Sequence, residues 1–149
     1  MADTTERDRR SLQLALAAAR TAEDNRAEEI AVLDMREITP VFDYFVIATG
    51  NSRRQLHAIS EEIDHHLEDE LGDHRMGIEG YSDSRWILLD YGSVVIHLFD
   101  AETREFYALE DLWSEAPRVD LPWRASDQAA AGAGPSRLSR RAEKPVVHV

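Results

Sequence analysis

The residue types that could do chemistry are few. Gly50-Asn51-Ser52 stands where an apolar run ends and an amphipathic run begins. Such a turn could aim backbone N–H groups at a phosphate. A strand, a Gly-x-Ser turn and a helix also open metal-dependent nucleotidyltransferases. That chemistry needs two carboxylates, usually one residue apart on the next strand, to hold metal ions at the transferred phosphate. The analogous stretch, Asp90-Tyr91-Gly92, has one carboxylate and no partner two residues on. Capping of a helix by Ser52 therefore outweighs catalysis. His65-His66, followed by Glu68, Asp69 and His74, raises the question of a metal. Adjacent histidines point to different sides of a helix; His65 and Asp69 form an i, i+4 pair, but two ligands do not make a zinc site, so a solvated polar face is the better reading. Nothing resembles a nucleophile elbow, there is no Gly-x-x-x-x-Gly-Lys loop, and the single lysine is Lys144.

Composition narrows the partners. The chain has 149 residues, 17 basic and 29 acidic, with no cysteine, so disulfides, thiol nucleophiles and Cys-based zinc sites are excluded. Charge is unevenly placed. Residues 1–116 carry 11 basic and 26 acidic side chains, a net −15, whereas residues 117–149 are net +3. A body of that sign repels phosphate backbones and favours a basic protein surface. No apolar run is long enough to span a membrane. The charged N-terminus lacks the apolar core of a signal peptide, so a cytoplasmic location without membrane or cofactor is expected.

The elements that must position these groups follow from periodicity. Residues 5–27 predict a helix, with Leu12, Ala15, Leu16, Ala19 and Ala22 as its stripe. Residues 29–36 and 42–49 predict strands, the second apolar enough for burial on both faces. Leu56, Ile59, Ile63 and Leu67 give an amphipathic helix, capped by Ser52 with Gln55 and ended by Gly72. A weak strand at 75–81 and strong ones at 85–91 and 94–99 follow, then a helix over 101–113. The order α-β-β-α-β-β-β-α predicts an α/β fold with a small mixed sheet and flanking helices. From Pro117 the Ala/Gly/Pro/Arg-rich composition predicts a disordered tail, leaving residues 1–116 as the domain.

A two-residue loop at Gly92-Ser93 sets the register of the last two strands. One face then carries Ile87, Leu89, Tyr91, Val94, Ile96 and Leu98, and should be core. The other carries Trp86, Leu88, Asp90, Val95, His97 and Phe99. Two large aromatics beside a carboxylate and an imidazole match an interface hot spot. Periodicity alone favours a face covered by a helix, with the polar pair satisfying itself.

Three blocks decide between these readings: Asp43 to Gly50 with Ser52; Glu79-Gly80 with Trp86 to Gly92; and Val95 to Phe99. Arg104, Phe106-Tyr107, Leu109-Glu110 and Leu112-Trp113 follow them in order. Together they resemble the ribosomal silencing factor family, also called RsfS or Iojap, over about residues 8–116. The resemblance implies a nucleotidyltransferase-like fold without catalysis, hence no enzyme. It implies binding to the large ribosomal subunit through that subunit's ribosomal protein fourteen. It further implies a block on small-subunit joining that lowers translation when nutrients are scarce, and a role in large-subunit maturation. The family's contact surface maps onto Trp86, Leu88, Asp90, His97, Phe99 and Tyr107. The basic tail could touch ribosomal RNA, though a solvated tail without a fixed role is the simpler expectation. Exposed sheet edges and the aromatic face also permit a homodimer. An active nucleotidyltransferase and an adaptor for another basic protein are the rival readings.

Overall fold

The computed structural model describes residues 2–124, with side chains from residue 5 onward. The elements are α1 (Ala2–Asp24), β1 (Glu28–Asp34), β2 (Tyr44–Gly50), α2 (Arg53–Leu71), β3 (Gly77–Glu79), β4 (Trp86–Asp90), β5 (Val94–Asp100), α3 (Ala101–Tyr107) and α4 (Leu109–Leu112). The sheet order is β1-β2-β5-β4-β3. Only β2 and β5 run parallel; the other three pairings are antiparallel. The interior strand β2 is buried along its whole length, as a strand covered on both faces must be.

Helices α1 and α2 lie together on one face. Their side chains mesh with Val32, Val46, Ile87, Leu89, Ile96 and Leu98 to form the larger core. The buried stripe of α1 is Ser11, Leu14, Ala15, Ala18, Ala19 and Ala22, while Leu12 and Leu16 are half-buried. The stripe is thus turned slightly from the one expected. Small alanines let the helix sit close to the sheet, and the larger leucines flank the contact. The predicted caps of α2 are present: Ser52 accepts from Gln55 N at 3.1 Å, and Gly72 sits at φ +70° while its N–H reaches Glu68 O.

Two expectations are corrected. The helix over 101–113 is broken at Ala108, which adopts φ +47°. Arg104 explains the break. It is buried and donates to Thr49 Oγ1 at 2.8 Å, to Glu29 O and to the Glu110 carboxylate. The left-handed residue swings Glu110 back onto this guanidinium while Leu109 enters the smaller core.

The chain also stays folded beyond residue 116. Residues 117–119 run antiparallel along the outer edge of β1, through Asp34 N to Pro117 O and Val119 N to Val32 O, both 2.8 Å. Leu121 is buried, and the Glu23 carboxylate accepts from both Trp123 Nε1 and Arg124 Nε. An edge strand carries unmet backbone groups, and this strap meets them. Among the described residues no such strap lies along β3, the other sheet edge, and a homodimer through the edge of β1 would have to displace the strap there. The disorder expected for residues 125–149 falls outside the described residues.

Candidate partner-binding face

The hairpin register is the one expected, with Trp86 opposite Phe99, Leu88 opposite His97 and Asp90 opposite Val95. The turn closes through Ser93 N to Tyr91 O, around Gly92 at φ +88°. Side chains therefore divide between faces as the pattern predicts, because strand periodicity leaves no other choice. The six expected site residues lie on one side of the sheet but at different depths. Phe99 is fully buried and His97 is 4% exposed. Trp86, Leu88 and Asp90 are half-buried, and Tyr107 on α3 is 50% exposed.

Beneath this face lies a second, smaller core of Leu33, Met35, Phe45, Ile47, Val95, Phe99 and Leu109. Phe99 belongs to that core and so cannot be a first contact for a partner. Above it the rings form a continuous chain. Phe45 meets Trp113 at 6.2 Å and His97 at 4.7 Å. Trp86 lies 4.9 Å from Phe99 and 4.7 Å from Tyr107, and Phe106 stands edge-on to Tyr107 at 5.0 Å. The exposed end is Tyr107 and Phe106, the latter 79% exposed.

Asp90 and His97 do not pair with each other. Asp90 Oδ1 accepts from Gly92 N at 2.8 Å, which pins the hairpin turn. His97 Nδ1 instead accepts from Trp86 Nε1 at 3.1 Å. Burial pushes the His97 pKa down to about 4, so the imidazole is neutral near pH 7. An indole nitrogen can only donate, so Nδ1 carries no proton and Nε2 does. Nε2 has no hydrogen-bond partner among the described residues.

Several exposed apolar residues were not assigned to a site from sequence. Phe106 and Leu112 are strongly exposed on α3 and α4, and Val41 is exposed beside the half-buried Phe42. Their signal was apolar character in segments too short for a period to be read.

The Gly50–Ser52 turn has a different use. A Cβ on Gly50 would lie 2.7 Å from Leu56 Cδ2, so any other residue there would force the buried Leu56 side chain to shift. Gly50 pairs with Asp100, whose carboxylate caps α3 through Thr103 N. Asp90 lies at the other end of the neighbouring strand, about 13 Å away along β4 at 3.3 Å per residue. It cannot serve a site at Gly50–Ser52. An open groove of about 640 Å³ beside this turn is lined by Ser52, Arg53, Arg54, His57, Ala58 and Glu61.

Near that groove Ser84, at φ +61°, brings its Oγ within 2.6 Å of His57 Nε2. The same nitrogen lies 2.7 Å from Tyr81 O, which can only accept, so Nε2 carries the proton. His57 therefore donates here and is not a base for Ser84. It clamps the 80–85 loop, and its ring stacks on Tyr81 at 4.0 Å. Gly80 is required in that loop, because a Cβ there would strike Trp86 O at 2.0 Å. His65 and His66 of α2 lie beside acidic side chains one turn on, His65 Nε2 3.1 Å from Asp69 and His66 Nδ1 3.6 Å from Glu70. Among the described residues no group of three or more His, Cys, Asp or Glu side chains is placed to hold a metal ion, and no helix is long and apolar enough to cross a membrane.

Comparison with known proteins shows what the chain is similar to. The family model described as "Ribosomal silencing factor during starvation" matches residues 8–145. The chain is 46% identical over 104 residues to the ribosomal silencing factor RsfS of Bacillus subtilis, covering 70% of this chain and 87% of that protein. It is 41% identical over 91 residues to the mouse protein named mitochondrial assembly of ribosomal large subunit protein 1, covering 59% of this chain and 40% of that one. The crystal structure of a Chromobacterium violaceum protein superposes with a TM-score of 0.67 at 32% identity, over 70% of this chain and 86% of that one.

Proposed function

The chain belongs to the ribosomal silencing factor family, and from that premise we propose that it binds the large ribosomal subunit through that subunit's ribosomal protein fourteen and blocks joining of the small subunit. In this reading Trp86, Leu88, Asp90 and Tyr107 touch the partner, while His97 and Phe99 support them from below. The observation that carries it is the aromatic chain ending in exposed Tyr107 and Phe106. An aromatic centre within a polar rim is the composition of a protein-binding hot spot. The acidic body favours a basic protein surface over bare RNA. The name of the mouse relative supports the choice of the large subunit and leaves room for a second role in its maturation.

The action is steric and needs no turnover. A body of roughly 120 residues has a radius of gyration near 14 Å, enough to hold two subunit faces apart. Its negative field adds repulsion toward an RNA-rich surface, screened beyond about 8 Å at physiological salt. Geometry dominates and charge assists. The lone Asp90, remote from Gly50–Ser52, supports a fold used without nucleotidyl transfer. The place of action is then the cytoplasm, where subunits join, with lower translation under nutrient limitation as the result. The folded body alone suffices for this reading, so residues 125–149 and any contact of theirs with ribosomal RNA are dispensable to it.

Sedimentation with isolated large subunits, isolated small subunits and joined ribosomes tests the proposal. The protein should pellet with large subunits and reduce joining. Equal binding to small subunits, or undisturbed joining at saturating protein, would overturn it.

A further inference from the structure

The position of His97 contains a contradiction. Its ring is buried among Phe45, Trp86 and Phe99. Its Nε2 proton has no acceptor among them. A buried, unmet donor destabilises a fold, and an apolar side chain at residue 97 would avoid it. What an apolar side chain would lack is the acceptor that Nδ1 offers to Trp86 Nε1 at 3.1 Å.

That acceptor decides how Trp86 stands. A tryptophan ring has two broad, roughly opposed orientations about χ2. In one the indole N–H turns inward; in the other it turns toward solvent. Phe99 below and Tyr107 beside it, at 4.9 and 4.7 Å, make ring contacts with the indole, and the polar bond to its N–H comes from His97. The bond to His97 selects the inward orientation. The apolar part of the indole is then presented next to Tyr107, with its one polar atom already satisfied. A partner meeting this face need not desolvate the indole N–H or order the ring, two of the costs that reduce affinity.

We infer that His97 is a positioning residue for partner recognition: buried and making no contact with the partner itself, it locks the Trp86 indole through its Nδ1 acceptor. This rests on the reading that the Trp86 face binds the large subunit.

The test uses two near-isosteric substitutions in the full chain. His97→Leu removes the acceptor, and His97→Asn restores one near the Nδ1 position. Affinity for isolated large subunits is measured beside thermal melts and the indole N–H resonances, with that of Trp86 assigned from Trp86→Phe. His97→Leu should melt cooperatively, move the Trp86 indole resonance alone among the three indoles, and lose about tenfold in affinity. His97→Asn should recover most of that loss, which a purely space-filling role would not predict. In Trp86→Ala, adding His97→Leu should weaken binding no further, because residues acting through one another are not additive. Loss with Trp86→Ala but none with His97→Leu overturns the positioning role and leaves the face intact. Unchanged affinity in Trp86→Ala removes the face from partner binding, and the inference with it.

Discussion

Under α1 and α2 the β4–β5 hairpin presents Ile87, Leu89, Tyr91, Val94, Ile96 and Leu98, none more than 5% exposed. On the reverse side the same hairpin presents Trp86, Leu88 and Asp90 half-exposed above His97 and Phe99. Helix length accounts for the difference. With 19 residues, α2 spans about 28 Å at 1.5 Å per residue, while α3 and α4, with 7 and 4, span about 10 and 6 Å. Two short helices broken at Ala108 cannot roof a five-stranded sheet. The first face is finished by the chain itself. The second is left with an aromatic surface whose burial a partner can complete. Substitutions on the two faces should therefore fail differently.

The largest effect belongs to the finished face. Leu89 has no exposed surface, so Leu89→Ala loses both its transfer energy and its packing. Denaturant titration should show a loss of about 2–5 kcal/mol. The fraction that remains folded should bind large subunits normally. Weakened binding by that fraction would blur the distinction between the faces.

Next is the titration of His97. The folded protein holds it near 4, against an ordinary 6.5. Between those values the unfolded chain takes up a proton that the folded chain resists. This contribution is whole above about pH 6.5, shrinks as pH falls, and is gone near pH 4. It amounts to about 3 kcal/mol. The stability of His97→Leu should lack this component, so its pH profile should be flatter than the parent's over that interval. Parallel profiles would mean that the imidazole is better solvated than its surroundings indicate.

Trp86→Ala comes third and reverses the pattern of Leu89→Ala. The ring is half-buried, so stability should fall less than for Leu89→Ala. Large-subunit binding should weaken by about 2 kcal/mol or more, roughly thirtyfold. Melts and sedimentation on the same samples separate the two losses. A domain that unfolds while its folded remainder binds normally would make Trp86 ordinary core.

Sequence periodicity resolved the first face almost completely, because apolar alternation along strands and the 3–4 spacing of α2 each permit one solution. The register of the hairpin followed from a two-residue loop. What periodicity could not read was depth. Trp86 and Phe99 look alike as aromatics on one face, yet Phe99 is fully buried in the smaller core while Trp86 is packed against that core only half-buried. The break at Ala108 was equally hidden, since it depends on Arg104 meeting Thr49 and Glu110 across the fold. The strap did have a signal in the alternation of Val119, Leu121 and Trp123, but Pro117 and Pro122 masked it.

The smallest predicted effect concerns Asp90, where turn and interface roles overlap. Its Oδ1 holds Gly92 N at 2.8 Å, and its carboxylate is half-exposed on the side of the sheet that carries Trp86. Asp90→Asn keeps a carbonyl oxygen for the turn and removes only the charge. Asp90→Ala removes both. If the turn bond has the usual net value, Asp90→Ala should lose about 1 kcal/mol of stability and Asp90→Asn very little. If the charge is at the rim of the interface, both variants should bind a few-fold more weakly, and the difference from the parent should shrink as salt is raised. Equal binding by Asp90→Asn and the parent at low salt would assign Asp90 to the hairpin alone. The partner-facing part of the second face would then reduce to its aromatic and aliphatic side chains.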